Sequence, residues 1–269
     1  MIGRLRQLLA EAPLSRRPED YEAVFDDYVA FTGGHRITDT IRIPPDTQNA
    51  DYLLENPEWH CVVELKQVSK YEHDRTVDRY FAELYRQGLL RAVENLGSGK
   101  IRITPQSLSH GQWMAFYDKF RPGVADAIEQ ANRQTRATLR LLPQSTKRRL
   151  SGVIILNSGN YSLPTDLLFR FIERKTKKEW RANHLRSIDF VICQSIDLFH
   201  PEQHPLHGRA IARPGADDIL KHVVFEIFEQ WVAYVNAELG TQVQVRQDDE
   251  TAGMVNAVDR AFMGKLRLS

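Results

Sequence analysis

Residues 49 to 68 combine an apolar run with acidic and basic side chains that could take part in chemistry. Glu64 and Lys66 lie two positions apart within the run CVVELK, and Asp51 lies thirteen positions before Glu64. Ionised groups are costly to bury unless another interaction compensates for the lost hydration. The pattern is therefore typical of a structural ion pair, a strand face in contact with water, or a metal site.

The strand period decides which of these side chains share a face. Residues two apart in a strand point to the same side, so Glu64 and Lys66 face one way, and the opposite face is wholly apolar. Asp51 begins the preceding strand and can lie across a hairpin from them, because cross-strand neighbours are about 5 Å apart. The spacing predicts that two carboxylates and one ammonium group converge.

Two carboxylates at short distance repel each other, so one normally takes up a proton unless a cation lies between them. Mg²⁺ prefers a few carboxylates, a backbone carbonyl and water molecules. Asp51, Glu64 and the carbonyl group of Leu65 could supply the protein ligands. Lys66 could orient a metal-bound water, help to deprotonate it, or stabilise charge on a phosphate. This chemistry suits the hydrolysis of a phosphodiester bond.

The elements that must position these groups follow from periodicity and turn residues. Residues 18–31 predict a helix with one apolar stripe, ended by two glycines, and residues 35–43 predict a strand. The segments ADYLL and HCVVELKQV predict a hairpin joined through ENPE, and residues 74–95 predict a second long helix.

The second half of the chain alternates strands with helices. Residues 102–150 are polar and mostly helical, and we interpret them as a helical insertion within a single domain of residues 1–269. After it we expect strands in SGVIILNSG and SIDFVICQSIDLF, helices at 163–178 and 216–239, and an edge strand in TQVQVR. The pattern predicts an α/β fold, a mixed sheet flanked by helices.

These features resemble the PD-(D/E)xK phosphodiesterases, which have the restriction-endonuclease-like fold. The family core is a helix, a three-stranded meander, a helix and a strand, with an Asp at the start of the second strand and (D/E)xK in the third. Asp51 and Glu64-Leu65-Lys66 match these positions. The chain departs from the family at Ala50, where Pro is usual, while the pair Pro45-Asp46 lies in a polar turn.

The resemblance implies a nuclease that uses Mg²⁺ or Mn²⁺, with DNA favoured over RNA, and with roles such as DNA repair, restriction or antiviral defence. It implies a further metal ligand on the first helix, Glu22 or Asp26, with Glu22 preferred. It also implies a supporting polar residue, for which Gln67 and Gln87 are candidates. The alternative is a non-catalytic scaffold of the same fold that binds nucleic acid or a partner protein. A homodimer is compatible with either.

Two basic segments are candidate contacts for nucleic-acid phosphates. The first carries Arg133, Arg136, Arg140, Lys147, Arg148 and Arg149 with no acid between them. The second, ERKTKKEWRANHLR, offers Trp180 for stacking on bases. A solvated charged face explains the first segment equally well. The second segment also contains a Glu-x-Lys pattern, Glu173 to Lys175, but on a helix residues two apart do not share a face.

Other signals favour structural explanations. NLGSGK lacks the first Gly and the final Ser or Thr of a phosphate loop, and predicts a helix-ending turn. The histidines of FHPEQHPLHGR have no Cys partners and predict a solvated loop, whereas NSGNYSL is a strand-end loop of the kind that can bind ligands.

Composition limits the remaining classes. The net charge of +1 argues against a protein that coats nucleic acid by bulk charge, although a local basic groove is compatible with it. Cys61 and Cys193 predict buried thiols without a disulfide, as expected in a reducing compartment. With no signal sequence and no membrane span apparent, we expect a cytoplasmic protein.

Overall fold

The computed structural model describes most of the chain in eleven segments. They are residues 4–10, 18–68, 79–90, 94–95, 101–102, 108–119, 121–157, 165–195, 207–240, 246–247 and 255–256. The helices in these segments are α1 (Arg4–Ala10), α2 (Pro18–Phe31), α3 (Ile37–Thr40), α4 (79–86), α5 (His110–Asp118), α6 (Arg121–Leu141), α7 (Thr165–Arg181) and α8 (Asp218–Leu239). The strands are β1 (His35–Arg36), β2 (Tyr52–Glu55), β3 (Trp59–Val68), β4 (Glu94–Asn95), β5 (Ile101–Arg102), β6 (Arg148–Asn157), β7 (Phe190–Ser195), β8 (His207–Ala212), β9 (Arg246–Gln247) and β10 (Val255–Asn256).

A mixed sheet organises the molecule. Its strand order is β1-β2-β3-β6-β7-β8-β10-β9, and β4 pairs separately with β5. The pairs β3–β6 and β6–β7 are parallel, whereas the other pairs in the large sheet are antiparallel. The expected mixed α/β architecture with flanking helices is therefore confirmed at this level, and the expected hairpin is present as β2 and β3.

Helices cover both faces of the sheet. Cys61 and Val63 of β3 pack on one face with residues of α1, α2 and α8. On the other face, Val153 and Ile155 of β6 pack with residues of α6 and α7. Because the central parallel strands are covered on both sides, their sequences are continuous apolar runs. Cys61 and Cys193 are both buried, as expected.

Helix α6 belongs to the segment that we interpreted as an insertion. Its residues Ile128 and Ala131 are fully buried against the sheet face formed by β6 and β7. Its residue Thr138 accepts a hydrogen bond of 2.8 Å from the backbone N–H of Ala50. The strand β6 already begins at Arg148. The insertion itself remains a prediction, but α6 is part of the packing that holds β3 in place.

The strand expected at residues 35–43 is wrong beyond Arg36. Residues Ile37–Thr40 form one helical turn, in which Ile41 donates its N–H to the carbonyl of Ile37. The Thr40 hydroxyl lies 3.4 Å from the carbonyl oxygens of both Arg36 and Ile37. These local hydrogen bonds compete with strand pairing, and the turn still buries Ile37 completely.

The helix expected at residues 74–95 is too long at its end. Within the described part it ends at residue 86, and Gly88 adopts a left-handed conformation with φ +66°. Leu89 donates its N–H to the carbonyl of Leu84, which closes the helix end. Glu94 and Asn95 form β4, so a strand and not a helix precedes the rest of NLGSGK. Residues 96–100 lie outside the described segments.

The contact between β6 and β7 predicts an effect of adding one methyl group. A Cβ atom on Gly152 would lie 2.2 Å from the ring of Phe190, its partner in the parallel register. Gly152→Ala should therefore lower the free energy of unfolding by about 1–3 kcal/mol, as overpacking does in other cores. Gly123→Ala on α6 is the matched control, because nothing lies within 4 Å of its Cβ position. Urea unfolding of both variants measures the difference, and equal stabilities would contradict the tight contact.

Candidate functional site

The register of the β2–β3 hairpin brings Asp51 and Glu64 together. Tyr52 lies opposite Val63, so the next position along places Asp51 opposite Glu64. The two side chains are close enough for a direct hydrogen bond between their carboxyl groups. Glu64 is 1% exposed, and one Asp51 oxygen (Oδ2) accepts a hydrogen bond of 2.9 Å from the N–H of Leu65. The hairpin therefore forms the carboxyl pair that the spacing predicts.

The environment of the pair favours a bound proton. Burial, followed by the nearby charge of Asp51, raises the pKa of Glu64 to about 8, although Lys66 opposes the shift. Burial also raises the pKa of Asp51, against the Leu65 N–H and the charge of Lys66. The Oε2 atom of Glu64 has no hydrogen-bond donor among the described residues. Because two carboxylate oxygens both accept, a proton or a cation must lie between them.

Lys66 is the cation beside the pair. Its Nζ atom lies 2.5 Å from Oε1 of Glu64, and its side chain is 16% exposed. The same Nζ atom donates a hydrogen bond of 2.9 Å to Oε1 of Gln134 on α6. The Nε2 atom of Gln134 in turn donates to the carbonyl of Asn49 at 3.1 Å. Two acids, one amine and one amide thus form a connected polar group at the end of β3.

Gln134 was not identified as a site residue from the sequence. It lies among Arg133, Arg136 and Arg140, where the basic residues dominate the pattern. One signal was available, because Gln134 lies four positions before Thr138, which belongs to the buried stripe of α6. Both residues contact the chain just before Asp51. Their position relative to β3 could not be read from helical spacing alone.

The acids of α2 do not join the carboxyl pair. Arg36 of β1 donates to Glu22 at 2.9 Å and to both oxygens of Asp26 at 2.8 and 2.6 Å. Asp26 also accepts from the hydroxyl group of Tyr52 at 2.9 Å. Within the described segments, no three or more His, Cys, Asp or Glu side chains are grouped to hold a metal. Arg36 thus pairs with Glu22, while the charge of Glu22 still acts on Asp51 and contributes to its raised pKa. The role of Glu22 as a metal ligand stays a prediction.

The other support residues also lie apart from the pair. Gln67 follows Lys66, so strand alternation directs its side chain to the opposite face of the sheet. Gln87 donates to Glu83 at 2.5 Å and is exposed. Asp46 is exposed in a turn with φ 62°. None of these three positions supports a role at the carboxyl pair.

The first basic segment is divided between two regions. Arg133, Arg136 and Arg140 are exposed along the solvent side of α6, away from its buried stripe. Lys147, Arg148 and Arg149 lie near the start of β6, where Lys147 is 3.8 Å from Glu55, Arg148 pairs with Asp217 and Arg149 donates to the carbonyl of Pro143. Arg148 is level with Trp59, five residues before Glu64, which is about 16 Å along the strand. These three cations are therefore remote from the carboxyl pair.

The second basic segment differs in part from expectation. Trp180 is only 9% exposed and donates from its indole nitrogen to the carbonyl of Ile188 at 2.9 Å, so its expected stacking role is wrong. Glu173 and Lys175 lie on α7, as expected for a helical Glu-x-Lys pattern. Glu173 pairs with Lys177 at 2.6 Å, whereas Lys175 pairs with Glu129 at 2.6 Å.

Several other predicted positions fall partly outside the described segments. His200 and His204 lie outside them, and His207 begins β8 instead of lying in a loop. Asn157 is the buried last residue of β6, and residues 158–163 lie outside the described part. The strand expected in TQVQVR is described only at Arg246, where β9 begins.

Comparison with known proteins adds no assignment. No protein-family model, no curated protein and no solved structure matches this chain. The fold and the site define a mixed α/β protein in which a buried Glu64 and a half-buried Asp51 lie beside a lysine. No helix in the described segments combines the length and the apolar character that crossing a membrane requires.

The raised pKa of Glu64 predicts how stability changes with pH. Its value is about 8 in the folded chain against an ordinary 4.5, so the folded chain binds more protons between these limits. The resulting stabilisation is complete below the ordinary pKa of a Glu side chain and is lost as pH rises through the pKa of Glu64 in the folded chain. Wild type should lose up to roughly 5 kcal/mol more than Glu64→Gln across this range.

Urea unfolding at a series of pH values measures this difference. Glu64→Gln keeps the shape of the protonated acid but cannot ionise, which isolates the contribution of this group. Glu173→Gln is the control, because it removes an acid that pairs with Lys177 on the surface of α7. Parallel stability curves for wild type and Glu64→Gln would contradict a shared proton in the carboxyl pair.

Proposed function

We propose that this protein is a metal-dependent nuclease of the PD-(D/E)xK type, with Asp51, Glu64 and Lys66 in its active site. One observation carries the proposal: the buried Glu64 faces the half-buried Asp51 in a contact that needs a proton or a cation, and Lys66 lies beside them. Buried ionisable groups with shifted pKa values are common at catalytic sites. The sequence resemblance supplies the reaction, and the geometry supports it.

The residues present suit Mg²⁺ or Mn²⁺. Asp51 and Glu64 offer carboxylate oxygens, including the Oε2 atom of Glu64 that lacks a donor within the described segments, and Leu65 offers a backbone carbonyl. Two carboxylates are a sufficient protein share for Mg²⁺, which keeps several of its waters. A divalent cation bound there would stabilise charge on the phosphate and lower the pKa of a bound water.

The chain itself supplies position and proton control. Loss of the proton from the carboxyl pair makes both Asp51 and Glu64 available as anions, while the Leu65 N–H keeps Asp51 oriented. Gln134 holds the Lys66 ammonium at the edge of the pair. From this position Lys66 can orient the attacking water or donate to a phosphate oxygen as negative charge develops.

The substrate and setting follow from the resemblance. DNA is favoured over RNA as the substrate, and DNA repair, restriction or antiviral defence are the corresponding roles. Arg133, Arg136 and Arg140 are exposed on α6 and are candidate contacts for backbone phosphates. A homodimer or a partner protein is compatible with this proposal.

A second candidate is a non-catalytic scaffold of the same fold that binds nucleic acid or a partner protein. The observation in its favour is the direct ion pair of 2.5 Å between Lys66 and Glu64, together with the pairing of Glu22 to Arg36. In that case the polar group at the end of β3 is a structural network. The scaffold predicts no divalent-metal binding and no cleavage.

Cleavage assays on plasmid and single-stranded DNA test the nuclease proposal. Wild type should cleave the DNA in the presence of Mg²⁺ or Mn²⁺, and EDTA should stop the cleavage. Glu64→Ala and Lys66→Ala should each lower the rate by about 100-fold or more, because each removes a group that acts on the reacting phosphate or water. Glu173→Ala alters the helical Glu-x-Lys pattern and should leave the rate unchanged. Activity that survives Glu64→Ala in a folded protein would end the assignment.

Metal binding can be measured without substrate. If Mn²⁺ replaces the proton of the carboxyl pair, it should raise the melting temperature more at about pH 8 than at about pH 6, since the bound proton competes at lower pH. A hundredfold excess over Kd corresponds to about 3 kcal/mol of stabilisation. Asp51→Asn and Glu64→Gln should remove the shift, whereas Glu173→Gln should retain it. A shift of equal size in all four proteins would favour the scaffold.

A further inference from the structure

A basic pocket lies between the end of α5, the beginning of α6 and the second half of α7. Its volume is about 1080 Å³, and Pro122 and Ala125 form part of its wall on α6. Its acids are Asp118 and Glu179. Its α7 wall carries five cations: Arg174, Lys175, Lys177, Lys178 and Arg181. The side chains that line the pocket therefore have an excess of positive charge.

Three of these cations have no acidic partner among the described residues. Lys175 pairs with Glu129 at 2.6 Å and with Glu179 at 3.2 Å, and Lys177 pairs with Glu173 at 2.6 Å. Arg174, Lys178 and Arg181, by contrast, are exposed, and no acid pairs with them in the part of the chain that the structure describes. They recur at intervals of four and three residues, so they follow one side of α7.

The pocket and the carboxyl pair lie on opposite sides of α6. Ala125 lines the pocket, whereas Gln134 contacts Lys66. These residues are nine positions apart, which corresponds to about 180° around an α-helix at 3.6 residues per turn. The contact of Glu129 with Lys175 also lies on the α7 side. A nucleic-acid strand bound at Lys66 would have to pass around α6 to reach the pocket.

We infer that this pocket binds a compact ligand that carries two or more phosphate groups. Guanidinium and ammonium groups together recognise phosphate oxygens through charge-assisted hydrogen bonds. The pocket is an open depression whose volume is close to that of small-molecule sites. Its cations lie within about two turns of α7, which is short for a nucleic-acid contact. Three cations along about two turns of helix match charge that is spread over a short phosphate chain. This inference does not depend on the nuclease proposal.

Isothermal titration calorimetry with inorganic tripolyphosphate, without divalent cations, tests the pocket. Wild type should bind, and the double variant Arg174→Gln/Lys178→Gln should bind about tenfold or more weakly, because two charge-assisted contacts are lost. The matched control is Arg42→Gln/Lys221→Gln, which removes two exposed cations that lie outside the pocket. The control should retain affinity within about threefold, as expected for screened charges outside a site. Glu64→Gln should bind as wild type.

Further ligands identify the source of the phosphates. Tighter binding of adenosine triphosphate than of tripolyphosphate would support a nucleotide, and equal binding would support the phosphate chain alone. The inference fails if tripolyphosphate does not bind, or if both double variants weaken binding equally. It also fails if a single-stranded oligonucleotide binds through Arg174 and Lys178 while tripolyphosphate does not, because the pocket would then be part of a nucleic-acid surface.

Discussion

The contact between Asp51 and Glu64 is the constraint on which the site depends. The β2–β3 register places the two residues opposite each other, so the buried Glu64 meets the half-buried Asp51. Such a contact is unfavourable for two anions and becomes favourable only when a proton or a cation lies between them. The raised pKa of Glu64 expresses this requirement in the absence of a metal. Whether a proton or a divalent ion fills that role decides between a structural network and a catalytic one.

The surrounding fold makes this contact specific. Residues of β3 alternate between two covered faces, so Glu64 and Lys66 share one face, on which Lys66 contacts Gln134 of α6. Leu65 packs with the apolar cluster of the other face. A shift of one residue in the hairpin would exchange these faces and bury Leu65 against Gln134. The apolar residues of β3 thus determine the register, and the register determines the position of both carboxyl groups.

Local patterns predicted the central hairpin and the carboxyl pair, because strand alternation and turn residues act over a few positions. They did not predict Gln134, since its contact with Lys66 spans 68 residues and depends on how α6 docks. The role of Arg36 was also missed: its guanidinium group engages Glu22 and Asp26, which the family resemblance had offered as metal ligands. At Ile37–Thr40 a helical turn with its own hydrogen bonds replaced an expected strand. Alternation of apolar and polar residues does not by itself show whether a segment pairs with a neighbouring strand.

The hydrogen bond from Ala50 to Thr138 has a consequence for chain entropy. It joins residues 88 positions apart. The entropy cost of closing so long a loop is larger than the net free energy that one neutral hydrogen bond contributes. The small apolar cluster that includes Ala50, Val62 and Leu142 must therefore contribute much of the favourable free energy at this junction. The positions of the acidic groups are therefore fixed by the apolar packing of this cluster and not by the charges themselves.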